Sequence, residues 1–234
     1  FISNVSHCCT NPGMAIYRYT AYKTPNFGIF VKANDSIILV PHGFAQTKSE
    51  KLTEYLQVGE MRTSVAGTRL LGPMTVMNNN GILLPSITSD EEVQALRQSS
   101  KLNVERIESR FTAIGNLVAV NDNGAIVSPV LNGEIDHLIR DVLGVPVHAM
   151  TVGSYVQAGS MIVATNGGAG VHPKATEEEV ETVSEVLQVP AEPVTVNGGV
   201  PFLSSGIVAN TKAVVVGSLT SGPELIMLSR IFKA

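Results

Sequence analysis

The stretch Val76-Met-Asn-Asn-Asn-Gly-Ile-Leu-Leu-Pro-Ser-Ile-Thr-Ser-Asp-Glu-Glu92 has the pattern of a strand, a tight turn, a second strand and the start of a helix. Asn80-Gly81 is typical of a two-residue hairpin turn, because both residues readily take positive φ angles. Pro85 ends the second strand, since proline lacks the N–H that a strand ladder needs. Ser89 followed by Glu92 predicts a capping box at a helix N-terminus.

This pattern recurs through the chain with a nearly constant period. The turn asparagines are 44, 43, 45 and 44 residues apart, at Asn34, Asn78, Asn121, Asn166 and Asn210. A small residue precedes each hairpin, at Gly28, Gly72, Gly115, Gly159 and, in the last copy, Ser204 or Gly206. Repeats of this length indicate one supersecondary unit copied five times.

Strand ends and helix starts keep the same register. The second strand of each unit closes at Pro41, Pro85, Pro129, Pro173 and Gly217. Capping boxes are predicted at Thr47/Glu50, Ser89/Glu92, Thr176/Glu179 and Ser221/Glu224, with Asn132 as a simpler cap in the third unit. The third helix shows an apolar stripe of Ile135, Leu138, Ile139, Val142 and Leu143, and Gly144 is expected to end it.

The two ends of the repeated region complement each other. Four units end with a return strand after the helix, whereas the fifth ends with its helix, and a strand at 16–22 is left over before the first unit. We therefore expect an α/β fold, a five-fold pseudosymmetric propeller of about 44-residue ββαβ repeats. Its strands lie inside, its helices lie outside, and the N-terminal strand closes the ring. An open array would instead need polar caps at both ends.

Composition favours a single globular domain. The chain has 234 residues, of which 44% are hydrophobic and 15% charged, so it can bury a large core. The net charge of −4 gives no reason to expect DNA as a partner. No apolar run reaches the roughly 18 residues of a membrane span. Cys8 and Cys9 are the two cysteines, which favours a reducing, cytoplasmic compartment.

Residues 1–13 differ from the rest of the chain. They carry both cysteines and end at Asn-Pro-Gly before Met14, and they have neither the basic start nor the apolar core of a targeting peptide. We expect them to be a leader or extension outside the fold, and residues 14–234 to be one five-repeat domain.

Four motifs resemble the translation initiation factor 6 family, the ribosome anti-association factors. They are Gly72-Pro-Met-Thr-Val-Met-Asn-Asn-Asn-Gly-Ile-Leu-Leu-Pro, Ala113-Ile-Gly-Asn-Leu, Gly167-Gly-Ala-Gly-Val-His-Pro and Thr220-Ser-Gly-Pro-Glu-Leu. The resemblance runs from Met14 to the end. It implies the pentein fold and a role in translation initiation and ribosome biogenesis. In that role the protein binds the large ribosomal subunit so that the small subunit cannot join it prematurely. The chain ends at Ala234 without the polar tail of eukaryotic members, which points to the archaeal type.

The resemblance also implies a partner and a binding site. The partner is a ribosomal protein near the sarcin–ricin loop, with rRNA as a further contact, and the factor acts as a monomer. Arg106, Asn116 and Asp122 match family positions implicated in large-subunit binding, and Arg110 lies in the same neighbourhood. A structural interpretation of the two arginines is salt bridging between neighbouring units. A family contact arginine of the second unit is replaced here by Pro73.

Two other classes of function stay open. Pentein enzymes of the amidinotransferase or deiminase type need an activated cysteine, and the last unit has none, so we expect no enzyme and no cofactor. His42, His137 and His148 fall in different units, which argues against a metal site, and His172 is expected to be a hydrogen-bonded turn histidine. A protein adaptor without a ribosomal partner is the second alternative.

Overall fold

Five three-stranded sheets make up the framework of the chain. The computed structural model describes residues 14–131 and 133–234. The strands are β1 Ala15–Tyr19, β2 Lys32–Ala33, β3 Ile37–Pro41, β4 Gly59–Thr63, β5 Val76–Met77, β6 Gly81–Pro85, β7 Asn103–Ile107, β8 Val118–Val120, β9 Ala125–Val127, β10 Val147–Ala149, β11 Ile162–Ala164, β12 Ala169–Val171, β13 Ala191–Pro193, β14 Ile207–Ala209 and β15 Ala213–Gly217. The expected leader at residues 1–13, with its two cysteines, and the expected cap at Asn132 lie outside the described residues.

Each sheet contains an antiparallel hairpin and one parallel outer strand. The strand orders are β2-β3-β4, β5-β6-β7, β8-β9-β10, β11-β12-β13 and β14-β15-β1. The predicted ββαβ unit is therefore confirmed in the first four sheets. In the fifth, β1 takes the place of the missing return strand and pairs in parallel with β15 from Ala15–Ala213 to Tyr19–Gly217. The predicted closure by the N-terminal strand is confirmed.

One outer helix follows the hairpin of each unit. The four regular helices are Gln46–Leu56, Asp90–Ser100, Glu177–Leu187 and Gly222–Phe232. In the third unit a short α-helix, Asp136–Leu138, continues as the π-helix Ile139–Leu143 and ends at Gly144, which has a positive φ of 71°. Each helix packs on the sheet of the preceding unit, and the first helix packs on β15, so the contacts run around a closed ring.

Short helical turns precede the hairpins. They are Phe27–Ile29, Leu71–Met74, Ile114–Asn116, Ala158–Met161 and Leu203–Gly206. A Cβ on Gly72 would lie 2.0 Å from Gly28 O, and one on Gly115 would lie 2.2 Å from Gly72 O. A Cβ on Gly28 would lie 2.2 Å from Ser204 O, so Ser204 rather than Gly206 holds the equivalent place in the last unit. Glycine is required at positions 28, 72 and 115 because neighbouring units touch backbone to backbone there.

The hairpin turns differ from the expected type. The described residues with positive φ do not include Asn80 or Gly81, so the proposed positive-φ turn is wrong. Instead, Asn78 Oδ1 accepts hydrogen bonds from the backbone N–H groups of Asn80 and Gly81 at 3.0 and 3.1 Å. Glycine at 81 serves packing, because a Cβ there would lie 2.4 Å from Val142 O of the next unit's helix.

The fourth turn is capped one residue earlier than predicted. Thr165 Oγ1 accepts hydrogen bonds from Gly167 N and Gly168 N, whereas Asn166 occupies the next position. The repeat spacings of the capping residues are therefore 44, 43, 44 and 45 residues. The sequence pattern favoured Asn166 because threonine is a weaker turn residue than asparagine.

Three of the four predicted capping boxes form. They are Ser89/Glu92, Thr176/Glu179 and Ser221/Glu224. The Thr47/Glu50 box is wrong: the first helix begins at Gln46, and its N-cap, Ala45, offers no side-chain hydrogen bond. The predicted stripe of the third helix is largely confirmed, since Ile135, Ile139, Val142 and Leu143 are buried and Leu138 is partly buried.

Candidate functional site

The ring has two different ends, which the strand directions define. One end carries the five short helical turns and the N-termini of the outer helices, and we call it the short-helix face. The other end carries the turns capped by Asn34, Asn78, Asn121, Thr165 and Asn210, and we call it the asparagine-turn face. A cavity of about 220 Å³ lies on the ring axis between them and is lined by residues of all five units; we call it the axial channel.

Asn116 lies on the short-helix face beside the axial channel. It is the last residue of the turn Ile114–Asn116, and its backbone N–H donates to Ala113 O at 3.0 Å. The adjacent Gly115 packs against the Gly72 backbone, which holds the turn in place. Asn116 is partly exposed and lines the channel mouth together with Pro73, the residue at the matching position of the second unit. Its amide is thus available to a partner.

Arg106 holds the start of a helix. Its guanidinium donates to Thr88 O at 2.9 Å and pairs with Asp90 of the same unit. Arg62 and Arg18, which precede it by one and two repeats of 44 residues, make the matching bonds to Phe44 O and Thr220 O, both at 2.8 Å. The Arg106–Asp90 salt bridge therefore forms within one unit, not between neighbouring units. The arginine itself, with its hydrogen bond to a backbone carbonyl, recurs at the same position in three units. A structural role accounts for this arginine.

Arg110 is placed differently. It follows β7 on the short-helix face, is exposed, and lies with its Cζ 4.9 Å from the Phe111 ring centroid. Within the described part of the chain it has no salt-bridge partner. Its guanidinium is therefore free to pair with an anion or to stack on a partner.

Asp122 lies on the asparagine-turn face, in a ring of hydrogen-bonded side chains. Its Oδ1 accepts from Asn79 N at 2.9 Å, and its Oδ2 accepts from Asn79 Nδ2 and Asn166 Nδ2, both at 2.6 Å. Asn116 and Asp122 lie beyond opposite ends of β8, whose three residues span roughly 10 Å. The structure thus brings Asn116, Arg106 and Arg110 to one face and leaves Asp122 on the other.

The short-helix face also exposes apolar side chains. Among residues 14–131 and 133–234, five of the six large exposed hydrophobic residues lie in its loops, namely Tyr22, Leu70, Ile87, Phe202 and Leu219. Ile87 and Leu219 occupy the same position of the second and fifth units, 132 residues apart. The sequence analysis missed these residues, although this repeat spacing was a signal that could have found that pair. The short-helix face is therefore the candidate interaction surface of the described residues.

His172 is buried behind this face. Its ring lies 5.0 Å from Tyr155, centroid to centroid, and its Nδ1 accepts a hydrogen bond from Lys174 N at 3.1 Å. The expected hydrogen-bonded turn histidine is confirmed. Burial lowers the pKa of His172, and the nearby charge of Lys174 lowers it further, whereas Glu179 raises it by less. The neutral form of His172 is therefore favoured.

Metal-ligating side chains do not cluster where the structure is described. No group of three or more His, Cys, Asp or Glu residues within 14–131 and 133–234 has the arrangement of a metal site. In the same residues no helix has the length and apolar character needed to cross a membrane.

Comparisons with known proteins agree on one family. The profile of the eIF-6 family matches residues 16–231. Translation initiation factor 6 of Cenarchaeum symbiosum is 52% identical over 219 residues, which cover 94% of this chain and 99% of that protein. Eukaryotic translation initiation factor 6 of Dictyostelium discoideum is 37% identical over 88% of this chain and 86% of its own length.

A solved structure of an agmatine deiminase from C. jejuni shows a weak likeness. Its TM-score is 0.40 at 12% sequence identity, over 83% of this chain and 72% of the deiminase. A likeness of this size bears on neither mechanism nor substrate. The five repeats, the closed ring and the match over almost the whole described chain lead to the same conclusion. The chain has the pentein fold and belongs to the eIF-6 family of translation initiation factors.

Proposed function

We propose that this protein binds the large ribosomal subunit through its short-helix face and thereby prevents premature joining of the small subunit. Membership of the eIF-6 family supports a role in translation initiation. The observation that carries the proposal is the composition of this face: exposed Tyr22, Leu70 and Phe202 surround a ring end that also bears Asn116 and Arg110.

The chemistry of the face suits a ribosomal protein near the sarcin–ricin loop. Aromatic side chains and arginine are the residue types that anchor protein interfaces, with polar groups around them. Arg110 can in addition pair with an rRNA phosphate, since a guanidinium matches phosphate geometry. A stable complex needs roughly 1,200–2,000 Å² of buried surface in total, which a patch of this kind can supply with its surrounding loops.

The proposed action is steric. A monomer in the cytoplasm occupies the joining surface, and no bond is made or broken, so the activity needs neither a cofactor nor a catalytic residue. The rigid ring suits this action because the packed neighbouring units hold the docking loops at fixed positions.

The four sequence-predicted residues contribute in different ways. Asn116 and Arg110 touch the partner directly, whereas Arg106 holds the helix start next to Arg110's loop. Asp122 lies too far from the docking face for the same flat partner to reach both, and its three hydrogen bonds stabilise the asparagine-turn face.

Co-sedimentation with separated archaeal ribosomal subunits tests the proposal. The unaltered protein is expected to migrate with the large subunit alone and to reduce the amount of joined ribosomes. Asn116→Ala and Arg110→Ala should each weaken binding by about tenfold or more, as expected for interface anchors. Arg140→Ala is the matched control, because Arg140 is exposed on the third outer helix.

The contrary outcomes are distinct. Failure of the unaltered protein to bind either subunit would reject the ribosomal function and favour a different protein partner. Normal binding by both Asn116→Ala and Arg110→Ala, with normal thermal unfolding, would reject the short-helix face as the docking surface.

A further inference from the structure

The axial channel contains a lysine that breaks the repeat. Lys32 is on β2, the first strand of its hairpin. The matching positions on the first hairpin strands of the other units are Val76, Ala119, Val163 and Val208. Four units thus place an apolar side chain at this level of the ring, and one unit places an ammonium there. Lys32 is partly buried, and a charge that is withdrawn from water without a partner costs free energy.

No carboxylate of the described residues pairs with this ammonium. The residues that line the channel, all within the described chain, include Lys32 but no aspartate or glutamate. Lys32 also has no salt bridge among the described residues. Burial lowers the pKa of Lys32 from 10.5 to about 8, which leaves the side chain mostly protonated at pH 7.

Neutral polar groups surround the mouth of the channel. Asn116, Ser160 and Ser205 come from three different units and occupy the same position of the repeat. The Asn116 amide and the Ser160 hydroxyl can donate hydrogen bonds to an oxyanion without adding a charge of their own, whereas the Ser205 hydroxyl donates to Phe202 O at 2.7 Å. The cavity of about 220 Å³ is several times the space of one water molecule, roughly 30 Å³ in the liquid.

We propose that the axial channel is a binding site for a small oxyanion, a phosphate or a carboxylate, held by the Lys32 ammonium. The bound anion pairs with the partly buried ammonium inside a cavity that all five units line. It therefore stabilises the closed ring, because a ligand that binds only the folded state shifts unfolding by mass action. This inference does not depend on ribosome binding.

A titration of the full chain without ribosomes tests the proposal. The lysine side-chain Nζ signals are followed by nuclear magnetic resonance at pH 7 while sodium phosphate, or sodium acetate in a second series, replaces sodium chloride at constant ionic strength. One signal, identified by its absence in Lys32→Met, is expected to shift and saturate. A saturable shift with phosphate assigns the ligand to the class of tetrahedral oxyanions, and a saturable shift with acetate assigns it to the carboxylates.

Thermal unfolding supplies the second measurement. The unfolding midpoint of the unaltered protein and of Lys51→Met, a change of an exposed helix lysine, should rise with the effective anion, and that of Lys32→Met should not. An equal rise in Lys32→Met would overturn the proposal. So would the absence of any saturable lysine shift in the unaltered protein, a result that does not depend on whether the variant folds.

Discussion

At the scale of single residues, one asparagine amide joins three pieces of backbone. Asn121 Oδ1 accepts from Asn123 N and Gly124 N of its own turn, both at 3.0 Å. Its Nδ2 donates to Thr165 O, in the turn of the next unit, at 3.1 Å, and to Leu187 O, at the end of the next unit's helix, at 2.8 Å. The last carbonyls of a helix lack partners within the helix, and Leu187 O is satisfied by this amide together with that of Asn123, which donates to it at 3.2 Å.

Replacing Asn121 by alanine is therefore expected to destabilise the whole ring. The change removes four hydrogen bonds at a buried site and deprives three backbone groups, Asn123 N, Gly124 N and Thr165 O, of this side-chain partner, so we expect the free energy of unfolding to fall by about 2–4 kcal/mol. Urea denaturation measures it. Asn103→Ala, at an exposed strand residue, is the control and should change it by less than about 0.5 kcal/mol. Equal effects of the two changes would show that the amide is not a structural link.

The exception among these residues is instructive. Thr165 caps its own turn through Oγ1 but has no amide to donate to the following unit, whereas Asn210 donates to Asn34 O and Leu56 O at 3.2 and 2.8 Å. The junction between the fourth and fifth units therefore lacks a bond that the other junctions have. The sequence pattern favoured Asn166 as the residue that caps this turn. Thr165 and Asn166 both favour turns, and only the hydrogen bonds of the folded chain show that Thr165 is the cap.

At the scale of elements, the capping glutamates hold more than their helices. Glu92 Oε2 accepts from Ser89 N at the helix start and also from Ala66 N, in the crossing between the first two units. Glu224 makes the same kind of link in the fifth unit. It accepts hydrogen bonds from Ser221 N, Ser221 Oγ, Thr195 Oγ1, Gly198 N and Gly199 N at 2.7–3.0 Å.

Glu224→Gln should make this link measurable as a pH dependence. Burial alone would raise the pKa of Glu224, but the hydrogen bonds from its neighbours outweigh it and lower the pKa from 4.5 to about 2. Between pH 4.5 and pH 2 the unfolded chain therefore binds more protons at this residue than the folded chain does. The contribution of the carboxylate to the free energy of unfolding is complete above pH 4.5 and is lost as the pH falls towards 2. At pH 7 we expect the variant to be less stable by roughly 2–3 kcal/mol.

The measurement is the difference in the free energy of unfolding between the variant and the unaltered protein from pH 7 to pH 2. The difference should shrink as the pH falls below 4.5. Glu185→Gln, at an exposed position of the fourth helix, is the control for loss of one charge. A difference that is constant with pH, or equal in the two variants, would contradict the link.

The starts of the helices could be predicted from the sequence where the local capping pattern and the tertiary contacts agree. Ser89, Thr176 and Ser221 start helices as their sequences indicate. The first helix lacks such a cap, and Arg62 holds its start through Phe44 O, a contact between residues 18 positions apart that local patterns do not reveal. The same limit applies to the candidate site. Arg106 has its role through a hydrogen bond to Thr88 O, which is equivalent to the bond of Arg62 to Phe44 O in the first unit. Sequence spacing does not reveal this contact.

At the scale of the whole molecule, closure depends on β1. Its five residues pair with β15 of the fifth unit, while the side chains of Tyr17 and Tyr19 contact the first unit. The rings of Tyr17 and Tyr55 stack with centroids 4.0 Å apart, and Tyr19 Oη donates to Lys48 O at 2.8 Å, both on the first outer helix. Arg18 bonds to Thr220 O at the start of the last helix. One strand thus connects the two ends of the repeated region.

We therefore propose that residues 14–234 fold as one cooperative unit that needs this strand. Removal of residues 1–13 should leave the unfolding midpoint unchanged, whereas removal of residues 1–20 should expose the β15 edge and the core beneath Tyr19. An unpaired, apolar strand edge recruits other chains. We expect the longer truncation to lose cooperative thermal unfolding by circular dichroism and to form oligomers in light scattering after size exclusion. A monomer that still unfolds cooperatively at the original temperature would show that the other units hold the ring without its closing strand.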